Sequence, residues 1–555
     1  MSSIFVNMWP ESLLVIVGCV LLLFGTAKTP AARRISPILA LGSLIAIFVI
    51  EMWGTRSSEV KAVTDSILVY KFQDYIKLIS AGAGILLVLL AWPTNSDATG
   101  NPALQFGHEA GEFFGLMMLS IAGIFFVASA NDIILLFMGI ELASIPTYIM
   151  VSISRPLPVA QEAGVKYFFL GAMAAAVMLF GFSYIYGTTG QTNLDLIGKA
   201  IQLNFPGHEW QLLGVVVLLI GLGFKIAAVP LHAYAGDVYQ GAATPVTAFL
   251  AFVPKTTGFV AIIKVLFYVS QVGEVHWILP DEIAKFLWVI AVLTMFVGNV
   301  LGLLQHNVKR VLAYSSIAHS GYMLVGVTAL VTATGQPEVQ RAALAGVLFY
   351  LASYAIMNSG AFGILMLLPS RDTHVSTFVS LSPDQPNRLT SSGTSAETFE
   401  DLAGQGRKHP GLGIAMAICC WSLTGLPLTI GFFGKFFLIK PALQAASANS
   451  EISSRMTWLV VLLVINAAIS AAYYLKIIAT MFLRPEPTPF AGATQPEPES
   501  NPRPWPILAG VAISVIGTLA FGVYFPWTDK LWDRTLHADI RGPQAPTTQA
   551  VVAAR

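Results

Sequence analysis

The chain has 555 residues, 55% of them hydrophobic and only 11% charged, with a formal net charge of +1 at pH 7. Soluble domains carry about 25% charged residues, so this composition excludes a soluble domain on a single anchor and describes a polytopic membrane protein. With no long basic run, it offers no surface for nucleic acid.

A membrane span needs about 20 apolar residues, and that rule predicts an all-α chain of about fourteen transmembrane helices. The first three lie near 9–27, 35–53 and 68–92. No basic region precedes the first run and no small-residue cleavage site follows it, so it reads as a retained helix. A polar stretch, 93–111, comes next. Further helices are predicted near 112–130, 132–153, 162–187, 210–235, 242–270, 284–305, 308–332, 341–369, 411–440, 457–483 and 505–526. The longest polar insert, 371–410, is rich in Ser, Thr and Pro and reads as a mobile loop on one face. The expected organisation is an N-terminal three-helix segment (1–111), a unit of helices four to eight (112–270), a unit of helices nine to thirteen (284–483, including the loop 371–410), a C-terminal helix (505–526) and a polar tail (527–555).

Cys19, Cys419 and Cys420 lie in apolar runs and form no C-x-x-C pair, which argues against a zinc site or an iron–sulfur cluster. No G-x-G-x-x-G follows a strand-like run, so no dinucleotide site is predicted. The basic residues vote on orientation. Lys28, Arg33, Arg34, Arg155, Lys309, Arg310, Arg371, Arg388, Arg407, Lys408, Arg484 and Arg503 fall in loops on one side. Arg56, Lys61, Lys199, Arg341 and Arg455 fall on the other. The positive-inside bias then puts both termini outside, in the periplasm of a bacterial inner-membrane protein.

The middle of the chain repeats. GVKYFFLGAMAAAVMLFG (164–181) matches GVLFYLASYAIMNSGAFG (346–363) in length and framing residues, with Leu348 where the first copy has Lys166. VPLHAYAGDVY (229–239) matches LPLTIGFFGKF (426–436), each with a proline inside an apolar span. Five helices per unit is an odd number, so the second copy is expected to be inverted, with helices seven and twelve broken. Paired, interrupted helices of this kind point to a transport site.

Glu141, Lys166, Lys225, Lys255 and Lys435 lie inside predicted spans. A charge near the bilayer centre costs roughly 2.5–3.5 kcal/mol unless it pairs or lines water, so these residues suggest a pathway for protons or ions. Each has a plainer alternative: a structural ion pair for Glu141 and Lys225, snorkelling for Lys255 and Lys435, and a helix-surface pair with Glu162 for Lys166. His232 and His319 are further candidates, each of which could equally be a hydrogen-bonded structural histidine. Lys264 and Lys476, near helix ends, read as snorkelling residues, and Asp237 as a cap or loop-facing group.

The segments GIELASIPTYIMV (139–151), GFKIAAVPLHAYAGDVYQGAATPVTAFLAFVPKTTGF (223–259) and DLAGQGRKHPGLGIAMAICCWSLTGLPLTIGFFGKFFLIKPAL (401–443) resemble the antiporter-like membrane subunits of respiratory complex I. The resemblance covers roughly 110–485. It departs at Tyr234, Gly236 and Ala243, where the family usually has Trp and Pro. It implies fourteen helices in two inverted five-helix repeats, and proton translocation coupled to quinone reduction on other subunits. It also implies a pairing of Glu141 with Lys225, Lys255 as a central relay and Lys435 as the relay of the second half. No cofactor is expected on this chain. NADH, flavin, iron–sulfur clusters and quinone would belong to partner subunits, both membrane and hydrophilic. A cation/proton antiporter subunit without redox chemistry would share most of these features, and a membrane scaffold that has lost pumping is disfavoured by the retained lysines.

Overall fold

The structure is a computed structural model that describes residues 8–27, 30–53, 61–64, 66–92, 110–155, 158–203, 208–270, 279–368, 396–445, 450–486 and 505–538. The helices are α1 (Trp9–Ala27), α2 (Pro30–Trp53), α3 (Lys71–Leu90), α4 (Ala110–Ser129), α5 (Ile133–Ile153), α6 (Pro158–Thr189), α7 (Leu194–Leu203), α8 (His208–Lys225), α9 (Ala235–Gly241) and α10 (Thr244–Val269). They continue with α11 (Asp281–Leu303), α12 (Val308–Thr332), α13 (Pro337–Leu367), α14 (Phe399–Leu402), α15 (Gln405–Lys408), α16 (Pro410–Thr424), α17 (Ile430–Ala445), α18 (Ser450–Leu483), α19 (Trp505–Val523) and α20 (Phe525–Leu536). The one departure from all-α structure among the described residues is a small antiparallel hairpin, β1 (Lys61–Thr64) with β2 (Ile67–Val69). Eleven of the described helices are long and apolar enough to cross a membrane.

Continuous apolar runs of this length form helices because only a helix satisfies all its backbone groups internally in lipid. Starts are fixed locally. The Asp132 side chain accepts from the Ile134 amide at 2.8 Å ahead of α5, and the same kind of cap recurs at α12, where the Asn307 side chain accepts from the Arg310 amide at 3.1 Å. Packing then sorts the helices. α10 is buried along its whole apolar length, and α12 and α13 nearly so. α1, α2, α6, α11 and α18 carry exposed Ile, Leu, Phe and Trp side chains suited to lipid. α12 is less apolar than a lipid-facing span, since it bears Lys309, Ser315, Ser316, His319 and Ser320. Burial makes that tolerable, because neighbouring helices supply hydrogen-bond partners.

Two helices end inside this packing. α8 stops at Lys225, residues 226–234 are turns, and helical structure resumes at Ala235. α16 stops at Thr424 and α17 starts at Ile430. Each gap holds a non-glycine residue in the left-handed region, Ala227 (φ 54°) and Leu428 (φ 69°), and the second also holds Gly425 (φ 88°). Such residues persist only where surrounding structure holds them.

The polar insert is partly built. Residues 371–395 lie outside the described residues, but 396–410 carry α14 and α15 and a buried knot. Glu397 pairs with Arg155 at the end of α5 and with Lys309 (3.3 Å) at the start of α12. Lys309 also donates to the Ala242 carbonyl (2.6 Å) beyond α9. A capping box between Thr398 and Asp401 fixes the local turn. In the tail, α20 packs back on the bundle, its Trp532 ring stacked on Phe437 at 4.0 Å.

At Gly425 an added Cβ would lie 2.7 Å from the Lys435 Cδ as well as meeting a left-handed backbone. Gly425→Ala is therefore expected to destabilise the protein by on the order of 1–3 kcal/mol, read as a lower thermal midpoint in detergent; an unchanged midpoint would show that the gap relaxes freely. At Glu397, burial raises the carboxyl pKa, but the charges and hydrogen bonds of Lys309 and Arg155 outweigh it and hold the group below its ordinary value. A depressed carboxylate stabilises the fold fully above its unfolded pKa of about 4.3, and that contribution disappears as pH falls through the folded value. Glu397→Gln leaves two buried cations without a counter-charge and is expected to cost about 3 kcal/mol at neutral pH. The difference in thermal midpoint between parent and variant should shrink on acidification below pH of about 4; a difference independent of pH would contradict this account.

Candidate functional site

α5 places Glu141, Ser144 and Tyr148 at i, i+3 and i+7, one stripe of a helix. Lys225, the last residue of α8, points into that stripe and donates to Glu141 Oε1 (3.0 Å), Ser144 Oγ (2.9 Å) and Tyr148 Oη (3.2 Å). The Lys225 side chain is 2% exposed and that of Glu141 16%. Three oxygens thus replace the water an ammonium would otherwise hold.

Lys255 is buried on α10. It donates to the Ser316 carbonyl and to Ser320 Oγ (2.9 Å) on α12. No carboxylate lies within ion-pair distance of it among the described residues. The Ser320 hydroxyl in turn donates to the Ile226 carbonyl at 2.6 Å. Ile226 follows Lys225, so a backbone carbonyl freed by the end of α8 joins the surroundings of both lysines. Gly258 makes this approach possible, because a Cβ there would lie 2.6 Å from Ile226 Cγ2. Tyr234, one of the departures from the family pattern, uses its hydroxyl to hold the Phe224 carbonyl at 3.0 Å and so satisfies the same helix end.

His319, fully buried on α12, lies between Lys255 and Lys435. Its Nδ1 meets the Tyr350 hydroxyl at 2.8 Å and its Nε2 the Tyr474 hydroxyl at 3.2 Å. The Tyr354 ring packs on both His319, at 5.0 Å between centroids, and the Lys255 ammonium, at 5.6 Å. On the far side, Tyr322 packs on His319 at 5.4 Å and lies under the Lys435 ammonium at 4.9 Å. Lys435 donates to the Leu423 (2.9 Å) and Thr424 (2.6 Å) carbonyls, the last of α16. Glu141, Lys225, Lys255, His319 and Lys435 therefore follow one another through the interior, joined by hydrogen bonds and the Ile226 carbonyl as far as Lys255 and by the rings of Tyr354 and Tyr322 beyond it.

Two sequence candidates stand apart. Lys166 is 44% exposed and pairs with Glu162 (2.7 Å) and Asp237 (3.0 Å). Asp237 also pairs with Arg310 at 2.7 Å, a link between α9 and α12 rather than a simple cap. His232 lies on the turns after α8, and its Nδ1 has no hydrogen-bond partner among the described residues. Lys264 does not snorkel. It is fully buried and donates to the Ala128 (2.8 Å) and Ala130 carbonyls. Sequence reading also missed a pair. Lys77 on α3 and Glu11 on α1 meet at 2.7 Å with side-chain exposures of 0% and 1%. Their signal was present, since both fall inside predicted spans, but each sits near a helix start, where charge is ordinary. Among the described residues no three His, Cys, Asp or Glu side chains gather as a metal site would require.

The family model described as NADH:quinone oxidoreductase/Mrp antiporter, TM, matches residues 130–470. The NADH-quinone oxidoreductase subunit N of Trichlorobacter lovleyi is 35% identical over 479 residues, spanning 86% of this chain and 87% of that one. The F(420)H(2) dehydrogenase subunit N of Methanosarcina mazei is 32% identical over 529 residues, 93% and 95% of the two chains. A chain of respiratory complex I from Thermus thermophilus superposes with a TM-score of 0.66 at 28% identity, covering 93% of this chain and 98% of its own. Matched over most of its length in sequence and in fold, the chain belongs to the NADH:quinone oxidoreductase/Mrp antiporter family of membrane subunits.

Proposed function

We propose that this chain carries protons within the membrane arm of a proton-translocating NADH:quinone oxidoreductase, coupled to quinone reduction on partner subunits. The observation that carries the reading is the succession of buried groups from the Glu141–Lys225 pair through Lys255 and His319 to Lys435. The line includes one carboxylate for three lysines. A buried ammonium without a counter-charge is costly, so the lysines are poised to hold fewer than three protons at once. When Lys225 rests on Glu141, its positive charge is compensated. Moving Lys225 away from Glu141 removes that compensation and favours release of its proton, and the Ile226 carbonyl and the Ser320 hydroxyl lie between the end of α8 and Lys255. His319 and its tyrosines link Lys255 to Lys435. Half-exposed Lys166, beside Asp237, and His232 are assigned to proton intake toward Lys225.

The same reading takes α8 with α9, and α16 with α17, as single membrane spans, the seventh and twelfth, each broken near a proline. Added to α12 and the eleven long helices, they bring the count to fourteen. Units 112–270 and 284–483 are then inverted five-helix repeats, flanked by the segment 1–111, the helix 505–526 and the tail 527–555. Support comes from the equivalent places of α6 and α13, which hold the matched glycine-framed segments, and from the left-handed residue in each gap. Both termini are assigned to the periplasmic side of an inner membrane. NADH, flavin, iron–sulfur clusters and quinone are assigned to other membrane and hydrophilic subunits.

Lys225→Ala is expected to leave the complex assembled while lowering proton pumping and coupled quinone reduction several-fold. Parent-like pumping in proteoliposomes would reject the assignment. Lys255→Arg keeps the charge but not a releasable proton, because guanidinium stays protonated. It should be nearly as damaging as Lys255→Ala, and full pumping with Arg would mean that position 255 needs only a positive charge. Pumping that requires sodium and runs without redox turnover would instead favour a cation/proton antiporter subunit.

A further inference from the structure

A second buried cluster lies in the first half of the chain, on the membrane face opposite the Glu397 knot. Its frame is the C-terminal end of α4. The Ala128 and Ala130 carbonyls hold Lys264, the Tyr70 hydroxyl donates to the Ala128 carbonyl at 3.1 Å, and the Tyr70 ring lies 5.5 Å from the Lys264 ammonium. Between those two carbonyls, the Ser129 hydroxyl meets Glu11 Oε1 at 2.9 Å, and Glu11 pairs with Lys77. Gln73, with its amide turned to satisfy both ends, accepts from Lys77 and donates to Ser129 (3.3 Å) and the Leu68 carbonyl (2.6 Å). Toward the surface, Asn131 donates to Asp195 on α7 at 3.1 Å.

The composition repeats that of the line already described: a carboxylate–lysine pair beside a lone buried lysine on α10. Lys255 and Lys264 are nine residues apart on that helix, about 13 Å along its axis. Three fully buried polar atoms around the cluster have no hydrogen-bond partner among the described residues: Glu11 Oε2, the Tyr268 hydroxyl one turn beyond Lys264, and the Ser80 hydroxyl one turn beyond Lys77. Buried groups of this kind are ordinarily satisfied by water.

Building on the reading above, we propose that Lys264, with Glu11 and Lys77, is a second proton-binding site of this chain, on the α7 side of Lys255 on the same helix. A proton arriving on Lys264 makes its ammonium. It passes to the Glu11 carboxylate, which accepts from Ser129 between the two carbonyls that hold Lys264, giving neutral Lys264 and a neutral acid beside Lys77, and the acid then gives the proton to water. Loss of that proton restores neutral Lys264 and the Glu11–Lys77 ion pair, so charge balances over the cycle.

The test uses the assembled complex in proteoliposomes, measuring the proton gradient formed per NADH oxidised. A purely structural lysine that caps the end of α4 would be replaced well by arginine, whose N–H groups also reach carbonyls. Lys264→Arg is therefore the informative variant. It is expected to assemble with a parent-like thermal midpoint but to lose at least threefold in pumping, whereas parent-like pumping overturns the proposal. Should Lys264→Arg fail to assemble, the near-isosteric Glu11→Gln decides: a loss of at least twofold supports the site and parent-like pumping overturns it. Lys225→Ala and Lys255→Arg are measured alongside. If these pump normally, the principal proton line fails. If they fail to pump while the Lys264 and Glu11 variants pump normally, only the second site is lost.

Discussion

A buried ammonium group needs oxygen atoms in place of water, and in this protein three buried lysines take theirs from the ends of helices. Lys435 is held by the last carbonyls of α16, Lys264 by those at the end of α4, and Lys309 by a carbonyl just beyond α9. Helix C-termini leave carbonyls without intrahelical partners and carry partial negative charge. One arrangement therefore meets two needs. The lysine satisfies the helix end, and the helix end solvates the lysine without the fixed full charge a carboxylate would bring. Placing helix ends inside the membrane protein, rather than at its surface, is the structural condition for everything else in the site.

The end of α8 has the widest consequences. Lys225 is its last residue, and the next carbonyl, that of Ile226, reaches the Ser320 hydroxyl that holds Lys255. Any shift of this segment that draws Lys225 from Glu141 also alters the surroundings of Lys255. Close packing reinforces the connection, since Gly258 leaves no space between α10 and Ile226. Densely packed interiors transmit displacements rather than absorb them. In the proposed relay, a local change of charge pairing and a change at the next lysine are in this sense one mechanical event.

The Glu397 knot gives that event a fixed frame. One carboxylate ties the end of α5, which carries Glu141, to the start of α12, which carries Ser316, His319 and Ser320. Removing water from this junction makes the pairing strong but intolerant of a missing partner. The helices that must hold their spacing are pinned at one membrane face. The segment between α8 and α9, residues 226–234, contains no Lys, Arg, Asp or Glu that could tie it in the same way. Rigid supports around one irregular segment suit the relay of buried charges proposed above.

The amino-acid sequence by itself determined the membrane class and most helix positions, and it singled out Pro230, Pro427, Glu141, Lys225, Lys255 and Lys435 as candidates. These features follow from local properties: apolar run length, proline in a span, and the cost of a charge in lipid. Tertiary structure alone decided which charges meet. It gave Lys166 a second partner in Asp237, buried Lys264 against α4, joined Glu11 to Lys77 across 66 positions of sequence, and drew Glu397 out of an apparent loop into a buried junction. Hydropathy reports how much a segment avoids water, but it does not record which helix face meets which neighbour. Whether a buried lysine finds a carboxylate, a helix end or a hydroxyl is set by contacts between residues far apart in the chain, and those exist only once the helices have packed.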